Sequence, residues 1–369
     1  MKKSLLLCLF STIANLIDKT MNYRFMSFFL ICVLLFSCSA KRSELYPDTE
    51  AFDFSDFSEI TELVSENLDL DTLDIVPIQI EVFDGVLISR NRADEKLFTI
   101  VDLKKKAKVA DYVDVGQGPE DMLYPSFAGY DNDYIYISDD QTSTVNIYRL
   151  NDMLGDNGLH SVKKVALGKR LISGSIRLKN GYIGSVYDPE WSHYFFNENG
   201  EVTDSIRAYP NIGEELTTME KLNTFMNKVA TNGKDRIAIC YMNTDLIDFR
   251  NHEGKLLKRL NGPGHFMTRF EEVENRGMIS SKIVGGSQEA FMNPKNINDE
   301  LWVLYSGKNS KDPDYEYSYN YLLTFSWNGN LRRAYHLDHG VFDFTVDVQN
   351  KVIYAITDTP DTQILTFNF

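Results

Sequence analysis

The side chains able to do chemistry are few and scattered. The histidines are His160, His193, His252, His265, His336 and His339, and only the last two stand close together. Three residues apart on a strand, they project from opposite faces and make poor co-ligands for a metal. No Gly-x-Ser-x-Gly sequence occurs, so the turn that exposes a hydrolase serine is not indicated. Asp139-Asp140 could meet a calcium ion, and it also reads as a solvated acidic turn. Two glycine loops stand out, Gly116-Gln117-Gly118-Pro119-Glu120-Asp121 and Gly262-Pro263-Gly264. Each is either a ligand-facing loop with inward amides or a tight crossing between structural units. No helical pattern follows them, which excludes a dinucleotide fingerprint. The expectation is therefore no catalytic set, no metal site and no cofactor.

A second group suits binding. Trp191, His193 and Tyr241 sit near strand ends, and residues 306–320 contain Asp312, Asp314, Tyr315, Tyr317 and Tyr319. Aromatic rings stack on apolar faces of sugars or peptides while hydroxyls and carboxylates form hydrogen bonds. The alternation from Tyr315 to Tyr321 also fits the extension of a strand.

These residues need a scaffold, and the sequence points to strands. Helical periodicity is confined to residues 214–229 and 270–275. Elsewhere, short β-branched and aromatic runs lie between Asp, Asn, Gly and Ser turns. One run recurs six times, from Val86-Leu87-Ile88, Tyr134-Ile135-Tyr136, Tyr182-Ile183, Arg236-Ile237, Leu301-Trp302 and Val352-Ile353. A second strand follows each, and a third follows most. The third strands run into Gly116, Gly168, Gly213, Gly262 and Gly340, which are 52, 45, 49 and 78 residues apart. The wide gap holds an insertion near residues 267–294.

Six copies at such a period predict an all-β fold, a six-bladed β-propeller of four-stranded antiparallel blades. The last copy supplies only three strands, so an N-terminal strand from residues 57–70 should complete it and close the ring. A β-sandwich is the competing architecture. In a propeller, loops joining second to third strands share one face with the crossings between blades. That geometry gathers Gln117, Glu120, Asp121, Asp139, Asp140, Trp191, His193, Tyr241, Tyr315 and Tyr317 onto one candidate ligand-binding rim.

The N-terminus reads as targeting. Residues 1–37 form a signal peptide, with Met21 as an alternative start before Arg24 and the apolar stretch Met26 to Phe36. Leu35-Phe36-Ser37-Cys38-Ser39 resembles a lipobox, so Cys38 is the expected lipidation site. Acyl chains would then hold the mature chain to a membrane. Ser39 and the lack of an acidic run directly after Cys38 favour the periplasmic side of the outer membrane. Residues 38–56 are polar and acidic and are expected to be a flexible tether, with the propeller spanning 57–369. Removing the signal takes away Lys2, Lys3, Lys19, Arg24 and Asp18, so the formal charge moves from −15 to −18. Such a surface repels phosphate backbones and excludes nucleic acid as a partner. Cys240 is the one cysteine beyond the lipid site, expected as a small buried core residue.

The lipobox, the acidic tether, the Gly-Gln-Gly-Pro-Glu loop and the six repeats together resemble the TolB-like six-bladed propeller lipoproteins of Bacteroides and its relatives. The resemblance covers residues 38–369 and implies fold and location more than activity. Likeness to TolB or to NHL-repeat propellers implies binding of proteins or cell-envelope glycans. The expected function is a lipid-anchored binding or scaffold module for a glycan, peptide or envelope protein. The alternative is a metal-assisted hydrolase or lyase acting on glycans or lactones.

Overall fold

The computed structural model describes residues 41–369, apart from positions 48, 71, 72, 74, 93, 94, 132, 156, 157, 169, 189, 208 and 314. The signal segment, the start at Met21 and the lipid site at Cys38 lie outside the described residues. Three short strands come first, β1 (Glu50–Ala51), β2 (Ile60–Leu63) and β3 (Ser65–Asn67). Blade 1 is β4 (Pro77–Phe83), β5 (Val86–Asn91), β6 (Lys96–Asp102) and β7 (Ala107–Asp114). Blade 2 is β8 (Pro125–Tyr130), β9 (Tyr134–Asp139), β10 (Thr144–Arg149) and β11 (Lys163–Ala166), with the single turn α1 (Leu150–Met153). Blade 3 is β12 (Ile172–Leu178), β13 (Gly181–Val186), β14 (Trp191–Phe196) and β15 (Val202–Arg207).

Helix α2 (Thr218–Thr224) precedes blade 4, which is β16 (Asn227–Thr231), β17 (Arg236–Tyr241), β18 (Leu246–Asn251) and β19 (Leu256–Asn261). A separate hairpin follows, β20 (Arg269–Asn275) and β21 (Met278–Val284). Blade 5 is β22 (Phe291–Ile297), β23 (Glu300–Tyr305), β24 (Tyr319–Ser326) and β25 (Leu331–Val341). Blade 6 is β26 (Asp343–Asp347), β27 (Val352–Thr357) and β28 (Gln363–Asn368), completed by β3. Ser65 to Asn67 pair antiparallel with Phe367 to Leu365, so the N-terminal segment closes the ring.

The blades bury one another. Among the described residues, six apolar clusters each join two neighbouring blades. Ile88 and Phe98 of blade 1 meet Ile135 and Ile137 of blade 2, for example, while Leu87 and Val101 on the other face meet Ile356 and Ile364 of blade 6. A second strand is therefore apolar on both faces, which is why these runs read as continuous rather than alternating. Each fully buried Phe, Ile or Leu contributes about 1.5–3 kcal/mol, so the six interfaces carry the fold.

Two local expectations fail. Of residues 214–229 only Thr218–Thr224 are helical, started by a capping box between Thr217 and Glu220, and Asn227–Thr231 form the innermost strand of blade 4. Residues 270–275 belong to strand β20, paired along its length with β21.

The stretch expected as a tether is also built into the domain from Arg42 onward. β1 pairs parallel with β19 of blade 4, and β2 pairs parallel with β25 of blade 5. With β3 in blade 6, one short stretch crosses three consecutive blades. Aromatic anchors explain the departure from acidic composition. Tyr46 is buried beside Phe225 and Val229, and Phe52 and Phe57 meet Phe325 edge-on at 5.7 and 6.4 Å. The paired histidines of β25 serve this strap: His336 bonds Glu62 at 2.5 Å, and His339 bonds Ser65 at 2.9 Å.

Candidate functional site

Antiparallel order within each blade sends two kinds of connection to one face, the second-to-third-strand loops and the crossings between blades. All the rim candidates lie in or beside those connections. Gln117, Glu120 and Asp121 occupy the crossing from β7 to β8, Asp139 and Asp140 the β9–β10 turn, Trp191 and His193 the start of β14. Tyr241 ends β17, and Tyr315 and Tyr317 occupy the β23–β24 loop.

Their side chains divide into two groups. Asp139 is buried and accepts backbone N–H bonds from Leu123, Tyr124 and Gln141. His193 is buried between Ser192 and Asn227, and burial pushes its imidazole down to about 4, so the ring is neutral at pH 7. Tyr241 is buried and donates to Asp248 at 3.3 Å. Asp121 accepts the Gly118 N–H at 2.9 Å within its own loop, and Asp140 accepts the Gly174 N–H at 3.0 Å. Tyr315 donates to Glu289 at 2.7 Å, and Glu120 accepts from Ser161. The Trp191 ring carries the Arg207 guanidinium 5.2 Å above it and, with Tyr194, lines a groove between blades 2 and 3 of about 640 Å³. Asp139, His193 and Tyr241, at strand ends, are thus internal, while the loop residues Glu120, Asp121, Asp140 and Tyr315 are only partly buried or exposed and are tied by hydrogen bonds within their own loop or to neighbouring segments.

The loops present one exposed aromatic of the candidate set, Tyr317, and two outside it, Tyr124 and Tyr187. Tyr124 is 54% exposed, Tyr187 66% and Tyr317 53%, in loops of three blades on this one face. Tyr124 and Tyr187 are single tyrosines in loops, so no periodicity reveals them.

The glycine loops are tight crossings. A Cβ at Gly116 or Gly118 would lie 2.5 or 2.6 Å from the Asp121 carboxylate. At Gly262 it would lie 2.1 Å from Asp245, which accepts the Gly264 and His265 N–H groups at 2.7 Å each. Burial pushes the Asp245 carboxyl up to about 7 despite those donors. The unfolded chain has the ordinary value near ~4, so between ~4 and about 7 the folded protein binds the extra proton. This contribution to stability is full below ~4 and is lost as pH rises through about 7. The stability gap between wild type and Asp245→Asn should therefore shrink from pH 5 to pH 8, by roughly 1–3 kcal/mol, in urea unfolding curves. A gap that stays constant would contradict a buried carboxyl of this kind.

A second polar site lies on the axis. The innermost strands of all six blades line a channel cavity of about 450 Å³. Lys295 of β22 reaches Glu81 of β4 at 2.6 Å, the Ile80 carbonyl at 3.0 Å and Asp343 of β26 at 3.8 Å. Burial alone would lower the Lys295 ammonium, but the Asp343 and Glu81 carboxylates outweigh it and hold it above its ordinary value. Burial pushes Asp343 up to about 6. Thr345 donates to Glu81 at 3.1 Å, so one network ties blades 1, 5 and 6. None of these channel residues stands out in the sequence. Register shifts interrupt β4, β8, β12 and β22 and hide the period of the innermost strands.

Other titratable groups are structural. Asp248 is fully buried with Arg259 at 2.5 and 2.8 Å and Arg250 at 2.6 Å. Burial would raise its carboxyl, but the two guanidinium groups hold it below the usual carboxylate value. Cys240 lies in the core between blades 4 and 5, with its thiol pushed well up by burial. Among the described residues no three His, Cys, Asp or Glu side chains group as metal ligands, and no helix is long and apolar enough to cross a membrane.

A family model described as TolB-like 6-blade propeller-like matches residues 55–349. No curated protein matches the sequence. Among solved structures, a Bacteroides fragilis protein shares 12% identity with a TM-score of 0.48, over 87% of this chain and 98% of that one. A DUF4221 family member from Bacteroides vulgatus shares 10% with a TM-score of 0.47, over 89% and 96%. BamB from Moraxella catarrhalis shares 12% with a TM-score of 0.37, over 79% and 71%. These likenesses carry no argument about ligand or partner.

Proposed function

The chain belongs to the TolB-like six-bladed propeller family, and from that premise we propose that it is a binding module of the cell envelope that captures an extended glycan or peptide on its loop face. In this reading a signal peptide exports the chain and acyl chains at Cys38 anchor it to the outer membrane, facing the periplasm. The observation that carries the proposal is the placement of Tyr124, Tyr187 and Tyr317, all exposed, in loops of three blades on one face. Exposed rings at separate blades give stacking sites along a chain-like ligand, each adding affinity without bond-making chemistry. Gln117 and Glu120 stand in the loop of Tyr124, Tyr315 in that of Tyr317, Trp191 follows the loop of Tyr187, and Asp140 lies in the β9–β10 turn on the same face; in this reading they supply polar and aromatic partners. Cys240, His193 and Asp248 are buried, and His193 and Asp248 are bonded to neighbours inside blades.

Glycan and peptide arrays probed with the full chain test this reading. The wild type is expected to bind members of one class, and a Tyr315→Ala, Tyr317→Ala double variant to lose at least about tenfold in affinity, the ~1.4 kcal/mol that one stacked ring supplies. Undiminished binding by the variant would remove the rim from the proposal. Turnover of an array sugar would replace it with the hydrolase reading.

A further inference from the structure

The insertion between blades 4 and 5 is a two-stranded sheet of β20 and β21, so the outer edge of β21 is unpaired among the described residues. Helix α2 supports the hairpin from one side, where the Met219 N–H donates to Glu272 at 3.4 Å. Along β21, Met278 is 69% exposed, Ile279 59%, Ile283 48% and Val284 46%. An apolar edge with outward amides and carbonyls is a template for another strand.

The sequence of β21 selects what that strand can be. Met278-Ile279-Ser280-Ser281-Lys282-Ile283-Val284 is complementary to itself in one antiparallel register, centred on Ser281. Ile279 then faces Ile283, Met278 faces Val284, and Ser280 faces Lys282, on both sides of the two-fold axis. Every apolar side chain meets an apolar one. Moving the centre to Ser280 sets Met278 against Lys282, and moving it to Lys282 sets two ammonium groups face to face. Lys282 is also held by its own Glu271 at 3.0 Å, so its charge is already matched before a second copy arrives. We infer that the chain forms a two-fold dimer in which β21 pairs with β21 of a second copy, giving a continuous four-stranded sheet in the order β20–β21–β21–β20.

The test uses the full chain purified in detergent. Sedimentation should show a dimer for the wild type and a monomer with unchanged far-ultraviolet circular dichroism for the Ile279→Lys, Ile283→Lys variant. In the proposed register the two Ser281 Cα atoms lie about 4.5–5.5 Å apart, within disulfide range. Ser281→Cys should therefore cross-link two copies under mild oxidation, Lys282→Cys should not, and the wild type controls for the native cysteines. A monomeric wild type, a dimer that survives both lysine substitutions, or equal cross-linking at 281 and 282 would overturn the inference.

Discussion

Replacing Lys295 by methionine should lower the unfolding free energy by about 3–5 kcal/mol at pH 8. The substitution leaves Glu81 and Asp343 facing each other across the channel without the ammonium that now lies 2.6 and 3.8 Å from them. The two buried carboxylates repel, and each loses its main counter-charge. Acid should relieve the loss. Asp343 already titrates near 6 with the lysine present, and without it the carboxyl is pushed further up. The deficit at pH 5 should therefore be smaller than at pH 8. Adding Glu81→Gln to the variant should restore part of the stability, since the amide oxygen can still accept from Thr345. Guanidinium unfolding curves at the two pH values provide the check, and a pH-independent loss below about 1 kcal/mol would contradict the network.

The second large effect concerns the strap. Phe325 lies in the blade 4–blade 5 core, within ring contact of Phe249 at 6.2 Å, Phe52 at 5.7 Å and Phe57 at 6.4 Å. Phe325→Ala should cost about 3–5 kcal/mol by removing packing and leaving a cavity. Phe52→Ala should also destabilise, since Phe52 is buried in the same cluster against Phe57 and Phe325. The informative quantity is their coupling in a double-mutant cycle, expected at about 0.5–1.5 kcal/mol for an edge-on pair. Zero coupling would mean that residues 42–57 do not dock on blades 4 and 5 in solution.

The parts of this molecule visible in its sequence are those whose physics repeats. Second strands such as Tyr134–Asp139 and Glu300–Tyr305 are buried on both faces, so their apolar runs are unbroken and their six-fold recurrence fixes blade number. The closing strand follows from counting strands in the last copy. The innermost strands are different. They line a polar channel, carry bulges, and include Gly129, Gly174 and Pro294, so neither alternation nor β-branched enrichment marks them. Lys295, Glu81 and Asp343 come from β22, β4 and β26, and only ring closure brings them together. The strap was masked by its charge, although Tyr46, Phe52, Phe54 and Phe57 within twelve residues were a signal against a flexible tether. On the rim, topology placed every candidate on the expected face but not its side chain. Asp139, His193 and Tyr241 belong to strands that pack against a neighbouring blade or crossing, so their polar atoms are used inside.

Binding is assigned to one face of the ring. Once an array ligand is in hand, its affinity should be measured for two triplets of alanine substitutions, Tyr124, Tyr187 and Tyr317 on the loop face and Tyr130, Val162 and Val348 on the opposite face. Loss of at least about a hundredfold, or ~2.7 kcal/mol, for the first triplet with little change for the second is the expected result. Equal losses, or a loss confined to the second triplet, would contradict it.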